Sequence, residues 1–162
     1  MIYLETCEIL SEVNIDNDWF KVTLSPAHEG ACILWFKDGR VSTRFKALGR
    51  FSYFDKVKVL QFIVRYATSD SLRREIETRK FETRLQLLNP VDFGQFEKMN
   101  GYRKQRAYRE LFDLDDYFDK KDLIRRRKLM AKKFHPDCGG DPRAMSVINQ
   151  AYEYLLPHAL NG

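Results

Sequence analysis

The sequence has little cysteine and no long apolar run. Its three cysteines, Cys7, Cys32 and Cys138, are scattered and show no CxxC spacing, so we expect neither a disulfide framework nor a structural zinc site. The longest apolar runs, ACILWF and VLQFIV, fall far short of the roughly 20 residues of a membrane-spanning helix. The opening residues, MIYLETCEIL, contain two glutamates and no basic leader, unlike a signal peptide. These features predict a cytoplasmic protein without a membrane anchor.

Low-complexity segments and internal repeats are absent, and neither sign of charge dominates. The 162 residues include 28 Lys and Arg against 23 Asp and Glu. Hydrophobic residues make up 44% of the chain, which is enough to form packed cores and excludes disorder throughout. The length suits one domain or two small ones. Because the opposite charges nearly balance, the position of the positive charge is more informative than its total.

The first part of the chain predicts a small antiparallel sheet. Four β-rich segments lie at residues 2–10, 19–25, 32–37 and 41–48. The first two flank a turn-prone stretch, and the last two flank Asp38-Gly39, which is a strong hairpin signal. Apolar and polar residues alternate along segment 41–48, as expected for a strand with one buried and one exposed face.

Two helices are expected to follow the sheet. Val57, Leu60 and Val64 recur at helical spacing. A second helical pattern covers residues 71–88 and stops at Asn89-Pro90. We therefore expect residues 1–100 to form an α+β domain with a small antiparallel sheet and two helices.

Residues 103–160 are predicted to form a second, all-helical domain beyond a boundary at Asn100-Gly101. A short helix covers residues 108–114, and a longer one begins after the N-cap residue Asp119. The longer helix should end near His135, because the residue before a proline is biased away from the helical region. A last helix opens at Asp141 and completes a helical hairpin. The chain as a whole is therefore expected to be α+β.

The helix that begins after Asp119 is expected to have an apolar face and a strongly basic face. The apolar face consists of Leu123, Met130, Ala131 and Phe134. The basic residues are Arg125, Arg126, Arg127, Lys128, Lys132 and Lys133. The loop after this helix exposes His135-Pro136-Asp137, in which Pro136 fixes one backbone dihedral. The pattern predicts a stiff turn at the end of a positively charged helix.

Residues 108–155 resemble the J domain, the module that defines DnaJ-type co-chaperones. The family begins with Tyr-x-x-Leu-Leu-Gly-Leu, and this chain has Tyr108, Leu111, Phe112, Asp113 and Leu114 there. The spacing from Leu123 to His135-Pro136-Asp137 holds without a gap. The family's final Ile-Asn-x-Ala-Tyr-x-x-Leu pattern appears as Ile148, Asn149, Ala151, Tyr152 and Leu155. The loop HPDCGGD resembles the short-loop J domains of polyomavirus T antigens and of the mitochondrial import motor.

Three residues depart from the family pattern. Asp113 occupies a position where glycine is usual, and Arg126 and Arg127 occupy positions where Ala and Tyr usually face the core. Two arginines there must either extend their charged ends to the surface or be accommodated by a one-residue adjustment within the helix. Both interpretations are compatible with the sequence.

The resemblance implies binding to a DnaK-class heat-shock chaperone and acceleration of its ATP hydrolysis. A J domain performs no chemistry itself, so we expect no enzymatic activity, no cofactor and no metal. By position, Arg125, Lys128, Lys132 and Lys133 would form the positive face that meets an acidic chaperone surface. His135, Pro136 and Asp137 would act as the trigger. Residues 1–100 match no family that we recognise, and we expect them to select a client protein or a location.

Two other functions are compatible with the sequence. The basic helix over residues 120–133 could bind the phosphates of a nucleic acid. The domain could also be a J-like adaptor that binds the chaperone without stimulating hydrolysis. A metal or nucleophilic site at His135, Asp137 and Cys138 is not expected, because residues this close in sequence rarely converge on one ion and no orienting group is visible.

Overall fold

The computed structural model describes residue 4 and residues 7–160, and the α+β class is confirmed. Four strands come first: β1 (Ile9–Ile15), β2 (Asp18–Leu24), β3 (Cys32–Asp38) and β4 (Lys46–Phe51). Within the described range, five α-helices follow: α1 (Lys56–Thr68), α2 (Asp70–Leu87), α3 (Gly101–Leu111), α4 (Lys120–Phe134) and α5 (Pro142–Leu155). Shorter 3-10 segments lie at Pro90–Lys98, Pro136–Cys138 and Leu156–His158.

The chain divides into two compact units, Met1–Glu75 and Ile76–Gly162, called here the N-terminal and C-terminal units. The division falls inside α2, whereas the sequence places a boundary at Asn100-Gly101. The difference has a physical cause in the apolar side chains between the two positions. Phe81, Leu85, Phe93 and Phe96 are buried in the same core cluster as the residues of α3, α4 and α5.

The sheet of the N-terminal unit is a simple antiparallel meander in the order β1-β2-β3-β4. The β1–β2 turn lies at Asp16-Asn17, where Asp16 has a φ of +52°. The first strand was predicted at residues 2–10, but it begins at Ile9 and runs to Ile15. Residues 2, 3, 5 and 6 of that prediction lie outside the described residues.

The hairpin predicted around Asp38-Gly39 is confirmed as the antiparallel pair β3–β4, but the start predicted for its second strand, Val41, is wrong. Strand β4 begins at Lys46 rather than Val41, so a longer loop joins it to β3. The cause is the Asp38 carboxylate, which accepts hydrogen bonds from the backbone and side chain of Arg40 at 2.8–2.9 Å. A local Asp turn of this kind competes with strand pairing.

Helix α1 is capped by Asp55, whose carboxylate accepts from the backbone N–H groups of Val57 and Lys58. Its buried face consists of Val59, Ile63 and Tyr66. Tyr66 packs against Phe20 and Phe36 of the sheet, with ring centroids 6.2 and 5.1 Å apart. The apolar residues that predicted the helix, Val57, Leu60 and Val64, are instead exposed to solvent.

The C-terminal unit is built around α4 and α5, which pack against each other and against α3 and segment Pro90–Lys98. The N-caps predicted for α4 and α5 are confirmed. Asp119 accepts from the N–H of Asp122 at 2.6 Å, and Asp141 accepts from that of Arg143 at 2.7 Å. Helix α3 begins at Gly101, earlier than the predicted start at residue 108.

Candidate functional site

The turn after α4 is organised by its own backbone. His135 is the C-cap residue, with φ −66° and ψ 133°, the extended conformation that a following proline favours. The backbone N–H groups of Cys138 and Gly140 donate to the His135 carbonyl at 2.9 and 3.0 Å, and that of Gly139 donates to Pro136 at 2.9 Å. Three hydrogen bonds in so short a segment hold the turn in one shape.

The two glycines of the turn serve different purposes. Gly139 has a φ of +79°, in the region that side chains other than glycine adopt with strain. Gly140 approaches the end of α4 so closely that an added Cβ would lie 2.2 Å from the Phe134 carbonyl carbon. The turn is therefore folded back onto the last residue of the helix.

His135 and Asp137 are presented to solvent by this turn. The Asp137 side chain is 87% exposed and that of His135 is 45% exposed. Nδ1 of His135 accepts a hydrogen bond from the Asp137 backbone N–H at 3.2 Å, so the proton of a neutral imidazole would be on Nε2. The Asp137 carboxylate, 3.5 Å from that Nδ1, points into solvent and can accept hydrogen bonds from a partner.

One side of α4 is an exposed cationic stripe made of Lys121, Arg125, Lys128 and Lys132. Their spacing of i, i+4, i+7 and i+11 places them on one helix face. The core residues of α4 are fully or nearly fully buried; they are Leu123, Met130 and Phe134. Lys121, Lys128 and Lys132 form no ion pair with any described residue, and the stripe leads directly to the His135-Pro136-Asp137 turn.

Arg125 is the most constrained member of the stripe. Its guanidinium pairs with Asp122 and lies 3.9 Å from the Glu77 carboxylate. Burial raises the pKa of Glu77, while the neighbouring charge of Arg126 opposes that rise. A shallow groove beside the stripe is lined by Thr78, Lys121, Ile124, Arg125, Lys128 and Leu129.

Lys133 lies beside the stripe rather than on it. Its ammonium donates to the carbonyls of Leu85 and Leu88, the latter at 3.0 Å, at the end of α2. Carbonyls at a helix C-terminus lack partners within the helix, and a lysine there satisfies them. Three of the four predicted chaperone-binding cations therefore lie on the exposed stripe, and the fourth caps another helix.

Arg126 and Arg127 do not require a shifted helix. Arg126 is 9% exposed, lies over the Phe81 ring at 4.8 Å and pairs with Asp113 at 3.1 Å. Arg127 lies over the Tyr152 ring at 4.7 Å and donates to the Asn149 side chain at 2.9 Å. Both guanidinium groups extend to polar partners from a helix whose core residues keep the predicted register.

Asp113 combines two properties that sequence reasoning missed. Its φ is +52°, so it adopts the backbone conformation that a glycine would supply. Its carboxylate pairs with Arg84 of α2 at 2.9 Å as well as with Arg126. The signal was present in the sequence as simultaneous departures at Asp113 and Arg126. Arg84 carried no such signal, because its role depends on how α2 packs.

Metal sites and membrane-spanning helices are both absent from residue 4 and residues 7–160, the part of the chain that the structure describes. Among those residues, no group of three or more His, Cys, Asp or Glu side chains is arranged to hold a metal ion. The same residues contain no helix that is both long and apolar enough to cross a bilayer.

Comparison with known proteins gave no match. No family model, no curated protein and no solved structure matches the chain.

Proposed function

We propose that the protein is a cytoplasmic J-domain co-chaperone that binds a DnaK-class chaperone and stimulates its ATP hydrolysis. The observation that carries the proposal is the exposed, hydrogen-bonded His135-Pro136-Asp137 turn at the end of a cationic stripe. A turn stabilised only for packing would not require an imidazole and a carboxylate in solvent. The protein itself would catalyse no reaction and require no cofactor.

The stripe would guide the encounter with the chaperone. Unpaired cations on one helix face raise the rate of association with an acidic surface and orient the partner. Exposed charges are screened by salt, so the association should weaken as ionic strength rises. Lys128 and Lys132 have no partner of their own among the described residues, and we expect them to contribute more than Lys133.

The turn would then select the active conformation of the chaperone. The Asp137 carboxylate can accept charge-assisted hydrogen bonds from a cationic group of the partner. A partner conformation that offers this group binds more tightly, and its population rises accordingly. The turn would therefore shift the chaperone towards the state that hydrolyses ATP. The N-terminal unit, in this proposal, provides the specificity for a client protein or a location.

The decisive experiment measures single-turnover ATP hydrolysis by DnaK with and without the full chain. His135→Gln should abolish the stimulation while leaving the circular dichroism spectrum unchanged. His28→Gln is the matched control, because His28 is an exposed histidine outside the turn, and it should stimulate like the wild type. Equal stimulation by the wild type and His135→Gln would refute the proposal. Binding without any change in hydrolysis rate would favour the adaptor function.

Nucleic-acid binding is a second candidate, favoured by the unpaired cations of the stripe. The appropriate variant neutralises Lys121, Lys128 and Lys132, because Arg126 and Arg127 are paired within the protein. This function predicts binding to DNA or RNA that weakens with salt and disappears in the triple variant. A flat titration at low salt would exclude it.

A further inference from the structure

Helix α1 presents an apolar ridge to solvent. Val57, Leu60 and Val64 are 64%, 44% and 45% exposed. With Tyr53, which is 56% exposed, they account for four of the eleven large exposed hydrophobic side chains among the described residues. Single exposed hydrophobic residues are ordinary, but a group on one surface indicates an interaction site.

The ridge is a second apolar face of a helix that already has one. Val57, Leu60 and Val64 are spaced i, i+3 and i+7, so they share one side of α1. A different side of the helix carries Val59 and Ile63, which are 2% and 1% exposed and belong to the unit's own core. The core therefore does not explain the outer residues. Thirteen residues make a helix about 20 Å long, which can accommodate one helix of a partner.

The ridge is flanked by cations and by no anion of its own helix. Helix α1 contains Lys56, Lys58 and Arg65 but no Asp or Glu. Helical spacing places Lys58 and Arg65 on one side of the ridge and Lys56 on the other. Lys58 is held by Asp55 and by the Tyr53 hydroxyl, whereas Lys56 and Arg65 have no ion pair with a described residue. The two sides of the ridge are therefore electrostatically complementary to a partner surface that carries acidic residues.

We propose that this ridge is the docking site for an acidic amphipathic helix of a partner protein. The inference rests on the partner-binding role proposed for the N-terminal unit, but not on the chaperone contact. A second copy of the chain would set these cations against each other, which opposes association. Interfacial membrane helices typically carry Trp, Phe or Leu anchors, whereas this ridge has one leucine and two valines.

A synthetic amphipathic peptide with leucines along one face and glutamates on both flanks is a suitable probe. Its fluorescence anisotropy is titrated with the full chain at low and moderate salt, beside a peptide that carries lysines at the flanking positions. The glutamate peptide should bind at low salt and dissociate as the salt concentration rises, and the lysine peptide should not bind. In NMR spectra, the chemical-shift changes that the glutamate peptide causes should be concentrated at the backbone amides of α1.

Two variants localise the binding. Leu60→Glu combined with Val64→Glu should lower the affinity for the glutamate peptide by about tenfold or more, because both side chains would be buried in the complex. Leu87→Glu is the control, because Leu87 is also exposed, at 77%, but lies at the end of α2. The control should bind the peptide like the wild type.

Several results would overturn the inference. These are no binding of the glutamate peptide, equal binding of both peptides, or equal loss in the ridge variant and the control. Association with phosphatidylserine vesicles that the ridge variant abolishes would assign the ridge to a membrane surface instead. Dimerisation abolished by the same variant would assign it to a second copy. The ridge variant should retain full ATPase stimulation, so failure here is distinguishable from failure of the chaperone function.

Discussion

At the scale of single residues, Asp113 and Arg126 complement each other. Asp113 has a φ of +52°, a conformation that Asp tolerates better than most residues. A glycine could supply this backbone but not the carboxylate that pairs with the buried Arg126 and with Arg84. Two of the three residues that depart from the J-domain pattern, Asp113 and Arg126, are thus partners in one ion-pair cluster.

Asp113→Gly is expected to destabilise the C-terminal unit by about 1–2 kcal/mol, even though glycine suits the backbone better. The substitution leaves a mostly buried guanidinium without its carboxylate, which costs more than the strain it relieves. Urea unfolding followed by circular dichroism measures the change. Asp113→Asn keeps a hydrogen-bond acceptor and tolerates positive φ, so it should lower the free energy of unfolding by less than Asp113→Gly. A glycine variant as stable as the wild type would contradict this account.

The two glycines of the turn should respond differently to alanine. Gly139→Ala meets no atom within 4 Å and suffers only backbone strain of about 1 kcal/mol. Gly140→Ala would place its Cβ 2.2 Å from the Phe134 backbone, so the turn must move. Thermal unfolding should show the larger loss for Gly140→Ala, and DnaK stimulation should fall with it. Equal losses would show that the turn is not held against the helix end.

At the scale of elements, α4 has three distinct sides. The core side carries Leu123 and Met130, the flank carries Lys133 against α2, and the exposed side carries the cationic stripe. A charge count treats all the cations of this helix as one surface. The packing separates them into groups that hold the C-terminal unit together and groups that are free to meet a partner.

Lys132 and Lys133 are neighbours with different expected roles. Lys133→Ala should lower the free energy of unfolding by about 1 kcal/mol, because two carbonyls at the end of α2 lose a charged donor. Lys132→Ala should change stability by less than about 0.5 kcal/mol, as is usual for surface substitutions, but should weaken DnaK stimulation at low salt. Chemical denaturation and the ATPase assay measure the two effects. The opposite pattern would place Lys133 in the binding surface.

Local chemistry made some elements predictable and others not. Asp119 and Asp141 cap helices by bonding their own neighbours, so sequence alone located both helix starts. Helix α1 has apolar residues on two different sides, and only the position of the sheet decides which side is buried. The hairpin of β3 and β4 was predictable from Asp38-Gly39, but the length of its loop was not, because the Asp38 carboxylate forms a local turn with Arg40.

In the candidate site, too, local features could be predicted from the sequence and long-range contacts could not. The turn at His135-Pro136-Asp137 was predictable, because proline and glycine constrain the backbone locally. The roles of Lys133 and Arg84 were not, because both side chains bond residues that are distant in sequence. Tertiary packing, rather than any local pattern, decides which cations of the C-terminal unit remain free.

At the scale of the whole molecule, helices α3, α4 and α5 are part of a larger packed unit. Phe93 packs against Phe134 with ring centroids 5.0 Å apart, and Phe96 lies 6.0 Å from the ring of Tyr108. Segment Pro90–Lys98 and the second half of α2 therefore supply core material to the helices that carry the proposed site. The resemblance to a J domain covers only part of this unit.

A fragment of residues 103–162 should be much less stable than a fragment of residues 76–162. The shorter fragment lacks Phe81, Leu85, Phe93 and Phe96, each of which contributes roughly 1.5–3 kcal/mol when buried. Thermal melts of both fragments, followed by circular dichroism, provide the comparison. Similar melting temperatures would show that residues 103–162 form a self-sufficient domain, as the sequence predicts.

The turn that folds back onto Phe134 has a consequence for the binding of a partner. A segment already locked by its own hydrogen bonds loses little conformational entropy when it is captured, so preorganisation lowers the cost of recognition. A small rigid contact of this kind can form quickly and also separate quickly. Under the proposed function, each molecule could then visit many chaperones in succession, and substoichiometric amounts would suffice.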